Sequence, residues 1–142
     1  MRRIEILAYP DIQLLDVSGP LQVFASANDF RTQAGELAAY DVVVVAASPR
    51  IRTSAGLVLE TTELPPHGLE IDTVIVPGGW GVNAACEDAG LVRWVIGRAR
   101  DARRAGPPAP ATWRRCRRKR FAWHRASGRR SIRPARGRRR PR

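Results

Sequence analysis

The chain has 142 residues and a formal net charge of +12, and that charge is unevenly placed. All 13 acidic residues and eight of the 25 basic ones lie within residues 1–101, which carry −5, while residues 102–142 carry +17. The length suits one small domain; two cysteines, Cys86 and Cys116, exclude a disulfide framework, and no run of about 18 apolar residues is present to make a membrane helix.

Ile4 to Ala8 is a short apolar run that reads as a strand, ended by Tyr9-Pro10-Asp11. Those two residues, Pro10 and Asp11, come too soon for the apolar stretch of a signal peptide, so a cytoplasmic protein without membrane contact is expected. A helix is expected to start at Asp16-Val17-Ser18-Gly19-Pro20, with Ser18 as N-cap and Pro20 in the first turn, where its missing N–H does no harm. Its apolar spacing, Leu21, Phe24 and Ala25, fades near Asp29.

Tyr40 to Ala47 holds four consecutive valines, which is the pattern of a strand covered on both faces. Residues 51–62 read as a hairpin around Ser54-Ala55-Gly56, with Gly56 supplying a positive φ. Thr73 to Val76 is another buried strand and runs into Pro77-Gly78-Gly79-Trp80-Gly81. Ala89 to about Arg104 reads as a helix with Leu91, Trp94 and Val95 on one face. Strands alternating with helices predict an α/β fold, a flavodoxin-like parallel sheet with helices on both faces. The next element should be a parallel strand, and none is readable.

From Ala102 onward there is no Leu, Val or Met; the large apolar residues are Trp113, Phe121, Trp123 and Ile132. Such a segment buries too little apolar surface to offset its ordering entropy and is predicted to be disordered. The chain thus divides into residues 1–104, an incomplete α/β portion, and residues 105–142, an Arg/Pro-rich tail. Without its later elements the sheet would keep an unpaired edge and an uncovered face, which predicts aggregation.

Three segments together carry a resemblance: the strand-turn-helix ending Leu14-Leu15-Asp16-Val17-Ser18-Gly19-Pro20-Leu21-Gln22-Val23-Phe24, then Thr53-Ser54-Ala55-Gly56-Leu57, then Asp72-Thr73-Val74-Ile75-Val76-Pro77-Gly78-Gly79. From residue 3 to about 104 the chain resembles the ThiJ/PfpI superfamily, also called class I glutamine amidotransferase-like. It is most similar to the N-terminal domain of AraC-type transcriptional regulators and to the related isonitrile hydratases. The resemblance implies that Asp16 is the acidic partner of a nucleophilic cysteine. It implies that Gly78 and Gly79 are backbone donors facing an oxyanion. Read without it, Asp16 is a helix-start carboxylate, and the two glycines are a tight turn.

The family's cysteine follows the next strand on a sharp turn, in a pattern like Ser-Val-Cys-Thr-Gly. That pattern is absent, and neither Cys86 nor Cys116 matches its place, so no complete catalytic set is expected. No cofactor is implied, and His67 and His124, one in a loop and one in the tail, make no metal site. Trp80 and Trp94 read as packing residues, although Trp80 stands beside the glycines.

The tail looks like a change of reading frame. The chain has a single lysine, Lys119, against 24 arginines, which suggests GC-rich codons. Beneath Thr112-Trp113-Arg114-Arg115-Cys116 another frame permits Leu-Ala-Ser-Val, a buried strand of the kind expected before the nucleophile. The bases after it do not obviously encode the cysteine. Three functions follow. The first is the sensory domain of an AraC-type regulator, taking an unknown small molecule, with DNA bound only by full-length relatives through a further helix-turn-helix domain and a homodimer left open. The second is a fragment of a cysteine hydrolase or isonitrile hydratase. The third is non-specific nucleic-acid binding through the basic, Trp- and Phe-containing tail.

Overall fold

A computed structural model of the chain describes residues 1–105. The elements in order are β1 (Arg2–Leu7), α1 (Leu14–Gln33), β2 (Tyr40–Ala46), β3 (Arg50–Arg52), β4 (Val58–Glu60), β5 (Thr62–Glu63), β6 (Ile71–Ile75), α2 (Val82–Glu87), α3 (Ala89–Asp101) and β7 (Ala102–Ala105). A five-stranded parallel sheet runs β5-β2-β1-β6-β7, and β3 and β4 form a separate antiparallel pair. Apart from the short edge strand β5, this is the 2-1-3-4 start of the flavodoxin-like order. The expected α/β class is therefore the observed one. The tail predicted to be disordered and out of frame lies, beyond Ala105, outside the described residues, as do Cys116 and His124.

The connection from β1 through α1 to β2 moves across the sheet in one direction, and that from β6 through α3 to β7 moves in the other. Parallel crossovers share one hand, so opposite directions put the two helices on opposite faces. Side chains confirm it. Tyr40, level with Arg2, meets Phe24 of α1, ring centroids 4.9 Å apart. Glu5, on the other face of β1, meets Arg98 of α3.

That second meeting is a buried ion pair that the apolar pattern did not foretell. Arg98 donates from Nε and Nη2 to the two carboxylate oxygens of Glu5, each at 2.7 Å, and from Nη1 to the Leu69 carbonyl at 2.6 Å. Both side chains are almost completely buried. The hydrogen bonds from Arg98 to Glu5 raise the guanidinium pKa further, so the charge is fixed.

Two boundaries differ from the sequence expectation. Helix α1 begins at Leu14, with Ser18 inside it and Gln13 at the N-cap without a side-chain cap bond. Pro20 is accordingly an interior residue, and its ring leaves the Asp16 carbonyl without the usual helical donor. The start is fixed by tertiary contacts of residues 12 and 13, described below. Helix α3 stops at Asp101, and Ala102–Ala105 pairs in parallel with β6. The strand sought in the sequence is thus present, though composed of Ala-Arg-Arg-Ala. Its backbone pairs the open edge of β6, and Arg103 clamps Asp72 at 2.6 and 2.9 Å.

The hairpin is as expected, with Gly56 at φ +87° between β3 and β4. Trp94 packs in the core and donates to the Pro65 carbonyl at 2.8 Å. Trp80 does not pack: it is 85 % exposed. Among the described residues, no helix is long and apolar enough to cross a membrane.

Candidate functional site

In a sheet wound in both directions, ligands bind outside the carboxyl ends of the strands where the winding reverses. Here that point is between β1 and β6. The residues after β1 and those after β6 come together there. The Gly78 N–H donates to Oδ2 of Asp16 at 3.2 Å, and the Gln13 N–H donates to the Gly78 carbonyl at 3.3 Å. Ile12 and Gly79 form an antiparallel bridge. The Tyr9 hydroxyl, deep in the core, donates to the Pro77 carbonyl at 2.7 Å.

The Thr53–Leu57 segment reaches the same place. The Ser54 N–H and hydroxyl both donate to the Ile12 carbonyl, at 3.0 and 3.2 Å. The Asp11 N–H donates to the Arg52 carbonyl at 2.9 Å, and the Gly81 N–H to the Asp11 carbonyl at 3.1 Å. Two segments far apart in sequence, residues 52–54 and 77–81, therefore converge on residues 9–16. Asp11 adopts φ +58°, which these bonds hold in place.

Two glycines permit the close approach. Gly79 has φ +138°, and a Cβ on it would stand 2.5 Å from the Gln13 nitrogen. A Cβ on Gly81 would overlap the Pro10 carbonyl oxygen. Tyr9, Gln13 and Gly81 were not singled out in the sequence. Gly81 had a signal, the third glycine in Gly-Gly-Trp-Gly, and Tyr9 stood in the Ile6-Leu7-Ala8-Tyr9-Pro10 run that opens the first of the segments carrying the resemblance, whereas Gln13 had none.

Chemically, Asp16 is an acceptor directed at the Gly78 N–H. The two residues form one hydrogen-bonded unit, so the Gly78 donor faces a carboxylate. No described thiol completes the set: Cys86 lies on α2 and packs against the core. Among the described residues, no group of three or more His, Cys, Asp or Glu side chains is placed to hold a metal. His67 is half-exposed in its loop, with Nδ1 3.9 Å from the Asp101 carboxylate.

No family profile matches the chain. It is 33% identical over 101 residues to an isonitrile hydratase of Pseudomonas putida, an alignment that spans 71% of this chain and 40% of that protein. A crystal structure of an AraC family transcriptional regulator, also from Pseudomonas putida, superposes with a TM-score of 0.48 at 17% identity, covering 66% of this chain and 61% of the other. The chain therefore spans about two fifths of the length of the curated relative it matches. That sequence similarity, with the observed strand order, gives the described residues a ThiJ/PfpI-like fold.

Proposed function

We propose that residues 1–104 are the first part of a ThiJ/PfpI-like ligand-binding domain, of the sensory kind found in AraC-type regulators, and that this chain is not a catalyst. The observation that supports the reading is the Asp16–Gly78 hydrogen bond at the switch point. It unites the acidic residue and the glycine turn of the resemblance while no described thiol stands with them. A carboxylate and backbone amides bind and orient a small molecule; covalent catalysis needs an activated nucleophile as well.

The similarity to an isonitrile hydratase supplies the competing reading and the assay. Incubating the full chain with an isonitrile and following formamide by NMR should show no hydration above buffer. Turnover that Asp16→Asn abolishes would make the chain an enzyme and sink the proposal. We further propose that the composition break after residue 104 is a change of reading frame. Sequencing the gene tests this: stop codons in the alternative frame, with no strand beneath Trp113-Arg114-Arg115, would refute it.

A further inference from the structure

A concavity of about 300 Å³ opens at the carboxyl ends of β1 and β2, beneath α2 and the start of α3. Its floor is made by buried Tyr9, Ile51 and Leu91. Space remains there because the facing positions carry only methyl groups, at Ala8, Ala84 and Ala85. Such a volume is at the lower end of the roughly 300–1,000 Å³ range of ligand pockets, enough for one ring and too small for a nucleotide.

The polar groups of the wall are mostly engaged. The Tyr9 hydroxyl donates to Pro77, and that of Ser48 to the Arg50 carbonyl at 3.2 Å. Asp88, at the rim, caps α3: its Oδ1 accepts from the Gly90 and Leu91 N–H groups at 2.8 and 3.0 Å. Those bonds hold the carboxylate in one orientation and leave Oδ2 without a hydrogen bond among the described residues. An acceptor fixed beside an apolar cavity needs no further ordering when a donor arrives.

We propose that this cavity binds a small apolar amine, with the ring over Ile51 and Leu91 and the ammonium on Oδ2 of Asp88. Anions of the same shape are repelled by that carboxylate. The cavity adjoins the Asp16–Gly78 site and shares Tyr9, Pro10 and Gly81 with it, but neither Asp16 nor Gly78 lines it, so the inference stands whether or not that pair binds anything.

Benzylamine is the probe, used with the full chain in saturation-transfer NMR, which reads the ligand whatever the particle size. Saturable binding is expected, weak as for any ligand of this size, with benzoate binding about tenfold more weakly. Ala84→Trp at the rim should abolish the signal and Ala84→Ser should keep it. Asp88→Asn preserves the cap and should weaken benzylamine about threefold, the scale of an exposed charge pair. If Ala84→Trp loses its circular-dichroism spectrum, Ser48→Tyr blocks the opposite rim. Undiminished binding in the blocked variant, equal binding of benzoate, or no binding at all overturns the proposal. So does loss of binding in Asp16→Asn, which would place the amine in the crevice instead.

Discussion

Arg98 enters the interior from α3 and closes on Glu5 in the middle of β1, so each charge depends on the other for its solvation. Removing one partner of a buried pair leaves the other uncompensated, which costs about 3–5 kcal/mol, whereas replacing both with apolar groups of similar volume is often neutral. Glu5→Gln should therefore lower the unfolding free energy by about 3 kcal/mol in a urea titration. The double variant Glu5→Leu/Arg98→Met should recover most of that loss. Equal losses in the single and double variants would mean that the loss does not come from the charge left unpaired. The sequence carried a trace of this contact. Glu5 interrupts an apolar run, and Arg98 continues the stripe of Leu91, Trp94 and Val95 at helical spacing. At the candidate site, Gly79→Ala combines a left-handed φ with contact against the Gln13 backbone. It should destabilise the chain by about 1–3 kcal/mol and change the amide shift of Gly78 in NMR spectra. An unchanged shift would show that the turn does not depend on Gly79.

Among the elements, β7 is the least expected, because Ala-Arg-Arg-Ala has no strand-forming pattern. What attaches it is the backbone ladder to β6 and the clamp of Arg103 on Asp72. The hydrogen bonds from Arg103, and then that from Thr73, hold the Asp72 carboxyl below the usual carboxylate range. A depressed folded pKa gives stabilisation that is complete above the ordinary carboxylate pKa and is lost as pH falls through the folded value. Docking of β7 should thus weaken under acid, by less than about 1 kcal/mol because Arg103 is half-exposed. Hydrogen exchange of the β7 amides, corrected for intrinsic rates, should show less protection near pH 3 than near pH 5. Asp72→Asn should flatten that dependence; an unaltered profile would show that the clamp does not act on the strand. Helix α1 shows the converse relation between local signal and outcome. Ser18 and Pro20 are good starting residues, yet the helix begins earlier. The bonds of Ile12 and Gln13 to the turn after β6 fix where the chain can first coil.

For the whole molecule, two properties of surface dominate. Among the described residues the sheet ends in the edge strands β5 and β7, and the outer side of α1 exposes Leu15, Val23 and Phe30, each by 65 % or more. Open edges and contiguous apolar surface favour association. Light scattering should rise with protein concentration, and Val23→Lys with Phe30→Glu should reduce it; scattering unchanged by those substitutions would put the association elsewhere. The second property is charge, with −5 before residue 102 and +17 after it. Phosphate neutralisation by such a tail is independent of base sequence and weakens steeply with salt. The full chain is expected to retard any duplex at low salt and release it as salt rises. Salt-resistant binding of one sequence would require a specific reader.

The sequence alone determined the α/β class, the parallel sheet, the hairpin with its left-handed Gly56 and the acidic-to-basic break. These follow from local periodicity, turn chemistry and composition, which each residue carries wherever it is placed. Only the tertiary structure decided that the three quoted segments meet around residues 9–16, that Asp16 holds the Gly78 N–H, that Glu5 pairs with Arg98 and that Ala-Arg-Arg-Ala adds a strand beside β6. Each of those depends on which backbone donors and charges lie opposite one another across the sheet. That is set by strand order and crossover direction, and neither is encoded in the residues of any one segment.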